Sequence, residues 1–274
     1  MGDPTIGIIG TGDFAAYFIS ALRNGGHHGR ILLSPYSLKR AQSLAADQNC
    51  IVSESDGALI AQSDWVVLAV RPEQFEEVLP RLQLRAEQTL ISAVAGVRID
   101  QLREAAGGLV RVVRIMPSSY ISVVGQGLFP LYPGFTDVEA VLGRAGNVLV
   151  FESEEGIELA MIGACLAGFM YRFTAQLERW FIEHGLERSK ARHIVAGNFL
   201  GAAGNALTQT NVSLEEISNR IATPGTYTKI GLDHLLNVNA FHPWIEALDL
   251  IDDRMKSCSN SQAVDGRDDG YPPI

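Results

Sequence analysis

The sequence predicts an α/β domain built on a doubly wound parallel sheet, followed by an all-helical domain. Two observations carry this. From Thr5 to Phe151, short β-branched runs alternate with segments of helical period, and most of the runs read as near-continuous hydrophobic stretches, as strands covered on both faces do. Beyond Phe151 only helical patterns remain. At 274 residues, with 47% apolar and 19% charged side chains, the chain has material for one or two domains with sizeable cores and the composition of a globular protein.

In chain order, TIGIIG (5–10) is followed by a helical stretch at Phe14–Asn24, ILLS (31–34) by Ser37–Asp47, and CIVS (50–53) by Gly57–Gln62. WVVLAV (65–70) leads to Glu73–Leu82, and TLISAV (89–94) to Asp100–Ala106. LVRVVRI (109–115), GLFPLY (127–132) and NVLVF (147–151) complete the sheet. Helices are then expected at Glu154–His184, Glu187–Leu207, Leu214–Ile221, Thr226–Leu236 and Phe241–Met255. The first of these is apolar nearly all round in its first half, so it must be enclosed. About a hundred residues of helix have limited means to enclose it, and a second subunit is the expected cover. The boundaries are set at 1–152 and 153–257, with the polar, turn-rich 258–274 as a flexible tail.

A formal charge of −9 and the lack of any Lys/Arg-rich block argue against a nucleic-acid partner. Cys50, Cys165 and Cys258 are far apart and fit a reducing, cytoplasmic setting. The N-terminus MGDPTIGIIG has an acidic residue and too short an apolar run for a signal sequence. The longest uncharged apolar stretch, Leu159–Tyr171, is shorter than the roughly 20 residues of a bilayer span, so no membrane partner is expected. Six scattered histidines show no HExxH spacing, and no metal site is expected.

Directly after the first strand comes GTGDFA, residues 10–15. It matches G-x-G-x-x-A, in which Gly10 makes a tight turn, Gly12 lets the backbone approach a pyrophosphate, and Ala15 packs helix on strand. The end of the second strand, LLSPYSLKR, carries no acid until Asp47, although NAD sites usually place one there. Ser34, Lys39 and Arg40 are positioned to meet a 2'-phosphate, so NADPH is the expected cofactor, with NADH as the other possibility.

GTGDFA, LAVRPEQF (68–75), ISAVAGV (91–97), VVRIMPSSY (112–120) and TPGTYTKIG (223–231) stand in the order and spacing of one family. The chain resembles the pyrroline-5-carboxylate reductases, which reduce a cyclic imine to proline with NAD(P)H. The resemblance covers roughly Thr5 to Met255. It implies a Rossmann domain that holds the cofactor through Gly10, Thr11, Gly12, Asp13, Phe14, Ala69, Val70, Arg71, Pro72, Met116 and Ser118. It also implies a helical domain interlocked with its mate in a homodimer. Thr223, Gly225, Thr226 and Tyr227 would bind a carboxylated cyclic imine, and Thr228 would hydrogen-bond the ring nitrogen as the catalytic residue. The local chemistry agrees: Thr223 is a good N-cap and Pro224 suits the first helical position. A helix start holds a carboxylate without Lys or Arg.

The chain departs from the family pattern at several positions, more around the expected substrate pocket than around the phosphates. Asp13 replaces an Asn, Arg71 a Lys, and Ser118 an Asn; Ala164, Cys165 and Leu166 stand for Ser-Gly-Pro, and Thr226 for a Gly. These changes point to a specialised relative acting on another cyclic imine. Two other readings stay open: a degenerate nucleotide-binding dimer, and a hydroxyacid dehydrogenase, although residues 155–185 hold no Lys to serve as its base.

Overall fold

The structure is a computed structural model that describes residues 2–108, 110–118, 120–124 and 127–262. Its strands are β1 (Ile6–Ile9), β2 (Ile31–Leu33), β3 (Ile51–Val52), β4 (Trp65–Leu68), β5 (Thr89–Ser92), β6 (Arg111–Ile115), β7 (Gly127–Tyr132) and β8 (Gly146–Val150). They form one sheet in the order β3-β2-β1-β4-β5-β6-β7-β8, parallel except for β6 against β7. The helices of this part are α1 (Asp13–Asn24), α2 (Leu38–Gln48), α3 (Asp56–Gln62), α4 (Phe75–Val78), α5 (Ile99–Ala105), α6 (Ile121–Val124) and α7 (Thr136–Ala145). The all-helical part comprises α8 (Glu154–Glu183), α9 (Arg188–Thr208), α10 (Leu214–Ile221), α11 (Tyr227–Asn237) and α12 (His242–Gln262).

The continuous apolar runs make sense in this topology. Alternate strand residues point to opposite faces: Ile8, Leu33 and Val67 join Phe18 and Phe129 in one core cluster. Ile9, Leu32 and Val66 join Leu59 and Leu102 in another. Each face is sealed by its own helices, so neither tolerates polar alternation.

The chain divides into two compact units, 1–164 and 165–257, and the division falls inside α8. Within the first unit, Arg114 of β6 is buried and its guanidinium meets Glu154 at 2.8 Å and Glu158 at 3.4 Å. Arg98 meets Glu154 at 3.1 Å. These pairs fasten the first turns of α8 to the sheet domain.

The sequence expectations need correction in several places. α6 and α7 were not anticipated, although α7 carries acids at Asp137 and Glu139 in its first turn, Arg144 in its last, and buried Val138, Leu142 and Ala145. The stretch 73–82 is a 3-10 turn, the single-turn α4 and a second 3-10 turn, because Pro80 interrupts a regular helix. α8 runs unbroken for 30 residues. Among the described residues it is the one helix long and apolar enough to cross a bilayer, with a mean hydropathy of 1.3 over its most apolar window. The 13-residue uncharged run on which the sequence reading rested understates it. α12 continues to Gln262, past the expected start of the tail, and residues 263–274 lie outside the described residues.

Candidate functional site

Two groups of side chains stand out, one in each unit. The first surrounds a cavity of about 380 Å³ lined by Ile9–Gly12, Ser34, Tyr36, Arg40, Asp56, Ala69–Arg71 and Arg81, among others. It lies at the carboxyl ends of β1, β2 and β4, where the strand order reverses direction after β1. That is the switch point at which open α/β sheets bind ligands. Gly10 has φ +102°, and a Cβ there would stand 2.4 Å from the Ala69 carbonyl oxygen, so no other residue fits the turn. Gly12 is the N-cap of α1 and a Cβ on it would meet nothing within 4 Å. The helix start therefore opens onto the cavity with its N–H groups uncovered, as a pyrophosphate requires.

The far end of the cavity is polar. Ser34, directly after β2, is buried, and its hydroxyl donates to Asp56 Oδ1 at 2.6 Å. Arg81 Nη1 donates to Asp56 Oδ2 at 3.2 Å, and its guanidinium lies 5.8 Å from the Tyr36 ring centroid. Arg40 pairs with Asp13 at the surface. Arg71 opens the turn before α4, its backbone N–H held by Gln74 Oε1 at 3.3 Å.

The expected cofactor residues thus separate. Gly10, Thr11, Gly12, Ser34, Arg40, Ala69, Val70 and Arg71 come together around one cavity. Lys39, Asp13, Phe14, Pro72, Met116 and Ser118 are not among its lining residues. Lys39 is exposed on α2. Asp13 turns to Arg40, and Phe14 stacks on Phe18 at 5.5 Å, facing the core. Met116 and Ser118 extend the pairing with β7 through their backbone N–H groups. Sequence reasoning missed Tyr36, Asp56 and Arg81. It sought an acid after β2, whereas Asp56 follows β3, which lies beside β2 in the sheet.

The second group is TPGTYT, residues 223–228. Pro224 and Gly225 form the turn, with Gly225 at φ +87° and the Thr226 N–H donating to the Thr223 carbonyl at 3.1 Å. This is the type II pattern of Pro followed by a left-handed Gly. The N-cap of α11 is Thr226, whose hydroxyl accepts from the Lys229 N–H at 3.2 Å and donates to the Thr223 carbonyl at 2.8 Å. The expected cap at Thr223 is therefore corrected: Pro-Gly needs its own turn before the helix begins. Thr226 is engaged in capping, Tyr227 is 94% exposed, and Thr228 is exposed in the first turn of α11.

Residues 5–96 match the family model described as "NADP oxidoreductase coenzyme F420-dependent". Residues 156–257 match the one described as "Pyrroline-5-carboxylate reductase dimerisation". A pyrroline-5-carboxylate reductase from Pseudomonas aeruginosa is 29% identical over 261 residues, 90% of this chain and 93% of that one. These matches support the pyrroline-5-carboxylate reductase family for this chain. The corresponding enzyme of Corynebacterium melassecola is 28% identical over 84% of this chain and 90% of its own. Among solved structures, 1-pyrroline-5-carboxylate reductase from Streptococcus pyogenes superposes with a TM-score of 0.80 at 26% identity, covering 93% of this chain and 99% of that one. The Plasmodium falciparum pyrroline carboxylate reductase with NADP bound gives the same TM-score at 21% identity, over 94% and 99% of the two chains, and shares the fold. The same likenesses support an oxidoreductase with a Rossmann-like N-terminal domain.

Proposed function

We propose that this chain is an NAD(P)H-dependent reductase of a carboxylated cyclic imine related to pyrroline-5-carboxylate, working as a homodimer through its helical domain. The observation that carries the reading is the cavity at the strand switch point, with Gly10 in a conformation only glycine accepts and Gly12 opening the α1 N-terminus. These residues fit a dinucleotide pyrophosphate; Ala69, Val70 and Arg71 line the same cavity. When bound, the reduced dinucleotide supplies hydride to the imine carbon.

The chain's own residues do the rest. The start of α11 holds the substrate carboxylate through its N–H groups and the partial positive charge there. This explains how a protein of charge −9 takes an anionic substrate. Thr228 hydrogen-bonds the ring nitrogen and fixes the imine for attack. Its hydroxyl is too weak an acid to be the net proton source, so water or a substrate already protonated on nitrogen supplies the proton. Cys165, Leu166 and Thr226 place side chains where family members carry Gly or Pro, which supports a substrate other than pyrroline-5-carboxylate itself.

The test is reduced-dinucleotide oxidation with a panel of five- and six-membered cyclic imines, with and without a carboxylate. A carboxylated imine turned over faster than pyrroline-5-carboxylate is the expected result. Pyrroline-5-carboxylate as the best substrate would remove the specialisation. Dinucleotide binding with no turnover of any imine would favour the degenerate dimer.

A further inference from the structure

Asp56 is a carboxylate with 7% exposure that lines the cavity beside Ser34, the residue directly after β2. In a doubly wound domain with its pyrophosphate on the loop after β1, the adenosine ribose faces the end of β2. We propose that Asp56 reads this ribose and turns the cavity toward a dinucleotide with free 2'- and 3'-hydroxyls, NADH, and away from one carrying a 2'-phosphate. The inference rests on the reading that the cavity holds a dinucleotide.

Three observations support it. Groups that a 2'-phosphate would call on are already engaged by carboxylates: the Ser34 hydroxyl proton is donated to Asp56, Arg81 is paired with Asp56, and Arg40 is paired with Asp13. Lys39 is not part of the cavity wall. Second, Asp56 retains acceptor capacity. An ionised carboxylate offers about four lone-pair sites, and the two bonds from Ser34 and Arg81 leave room for ribose hydroxyl donors. Third, Ser34 and Arg81 each hold one oxygen, so the carboxylate is oriented before any ligand arrives. A phosphate brought against this buried charge meets repulsion that little water screens. Asp56 also lies in the first turn of α3, where a negative charge is favoured. That preference is met equally by a solvent-facing acid and does not require one in the cavity wall.

Asp56→Asn keeps the shape and the Ser34 bond while removing the charge and releasing Arg81. Full-length wild type, Asp56→Asn and Asp56→Asn/Arg81→Gln are titrated with NADH and with NADPH, following nicotinamide fluorescence at equilibrium, with thermal melts to show that each variant is folded. The wild type is expected to bind NADH at least as tightly as NADPH. Asp56→Asn is expected to shift the ratio of dissociation constants toward NADPH by about tenfold, and Arg81→Gln to cancel most of that shift. A wild type that prefers NADPH, or a shift in Asp56→Asn below about threefold, overturns the assignment. Failure of the underlying reading has a different signature: neither dinucleotide binds any of the three proteins.

Discussion

The two units of this chain differ in where they keep their apolar surface. In residues 1–164 the strands and the helices on both faces bury two full core clusters, with Phe18, Phe129, Leu59 and Leu102 almost inaccessible. In residues 165–257 the buried hydrophobic side chains among the described residues are Ala191, Val195 and Ala222, while Leu200, Leu207, Ile230 and Leu250 are each more than 60% exposed. Burying one such Leu or Ile is worth about 1.5–3 kcal/mol, so the helical unit leaves much of its driving force unused in the single chain. The lesson is that one half of the sequence encodes a closed core and the other half encodes a surface that needs a partner. The match to a dimerisation model over 156–257 accords with a second copy as that partner.

This contrast can be broken most directly on α9. Leu200 and Leu207 lie seven residues apart and hence on one face. Replacing both with Glu is expected to weaken dimerisation by about 4 kcal/mol or more, roughly a thousandfold, which light scattering at micromolar concentration reads as monomer. An unchanged dimer would show that this face is not the interface.

The sheet domain should respond through its own interior instead. Glu154→Ala deprives buried Arg114 of its nearest carboxylate, with an expected loss of about 3 kcal/mol in urea unfolding. The same substitution at exposed Glu155 is expected to cost under about 0.5 kcal/mol.

The glycines of the first loop sharpen the comparison further. Gly10→Ala is expected to lower stability by about 1–3 kcal/mol and to abolish dinucleotide binding, because its φ and the Ala69 carbonyl forbid a Cβ. Gly12→Ala meets no protein atom, so the melt stays within about 0.5–1 kcal/mol of wild type while dinucleotide affinity falls.

The smallest effect expected is a pH dependence in the first unit. Burial pushes the His27 imidazolium down, opposed by Asp3 and reinforced by Arg23, Arg144 and His28; neither ring nitrogen has a hydrogen-bond partner. Its folded value lies below its unfolded value, so its contribution is full above about pH 6.5 and is lost as pH falls below that. Asp3, held to about 2 by the His28 N–H and the Arg144 guanidinium, adds a second loss below its usual value near 4. His27→Leu is expected to flatten the melting-temperature profile between pH 7 and 5 and to leave the arm below pH 4 in place.

The strands were legible because each is a bounded apolar run, and the glycine loop because it directly follows one. α7 was passed over beside Pro133 and Gly134, although its apolar spacing and terminal charges were in plain view. The Asp56–Ser34–Arg81 cluster was not legible. Its members lie 22 and 25 residues apart: the adjacency of β3 to β2 brings Asp56 to Ser34, and Arg81 reaches Asp56 from the segment after β4. At TPGTYT the residue types announced a helix start, but the position of the cap depended on the turn that Gly225 makes. Thr228 was singled out by resemblance alone, since a hydroxyl in the first turn of a helix has no pattern of its own.

In the proposed function the sheet domain binds the dinucleotide, and Thr228 on α11 serves the imine. The deciding measurement is a Thr228→Ala variant assayed side by side for dinucleotide binding at equilibrium and for imine turnover. The account predicts a dissociation constant within about twofold of wild type and a kcat lower by about a hundredfold or more. Turnover at the wild-type rate, or dinucleotide affinity lost together with turnover, would contradict it.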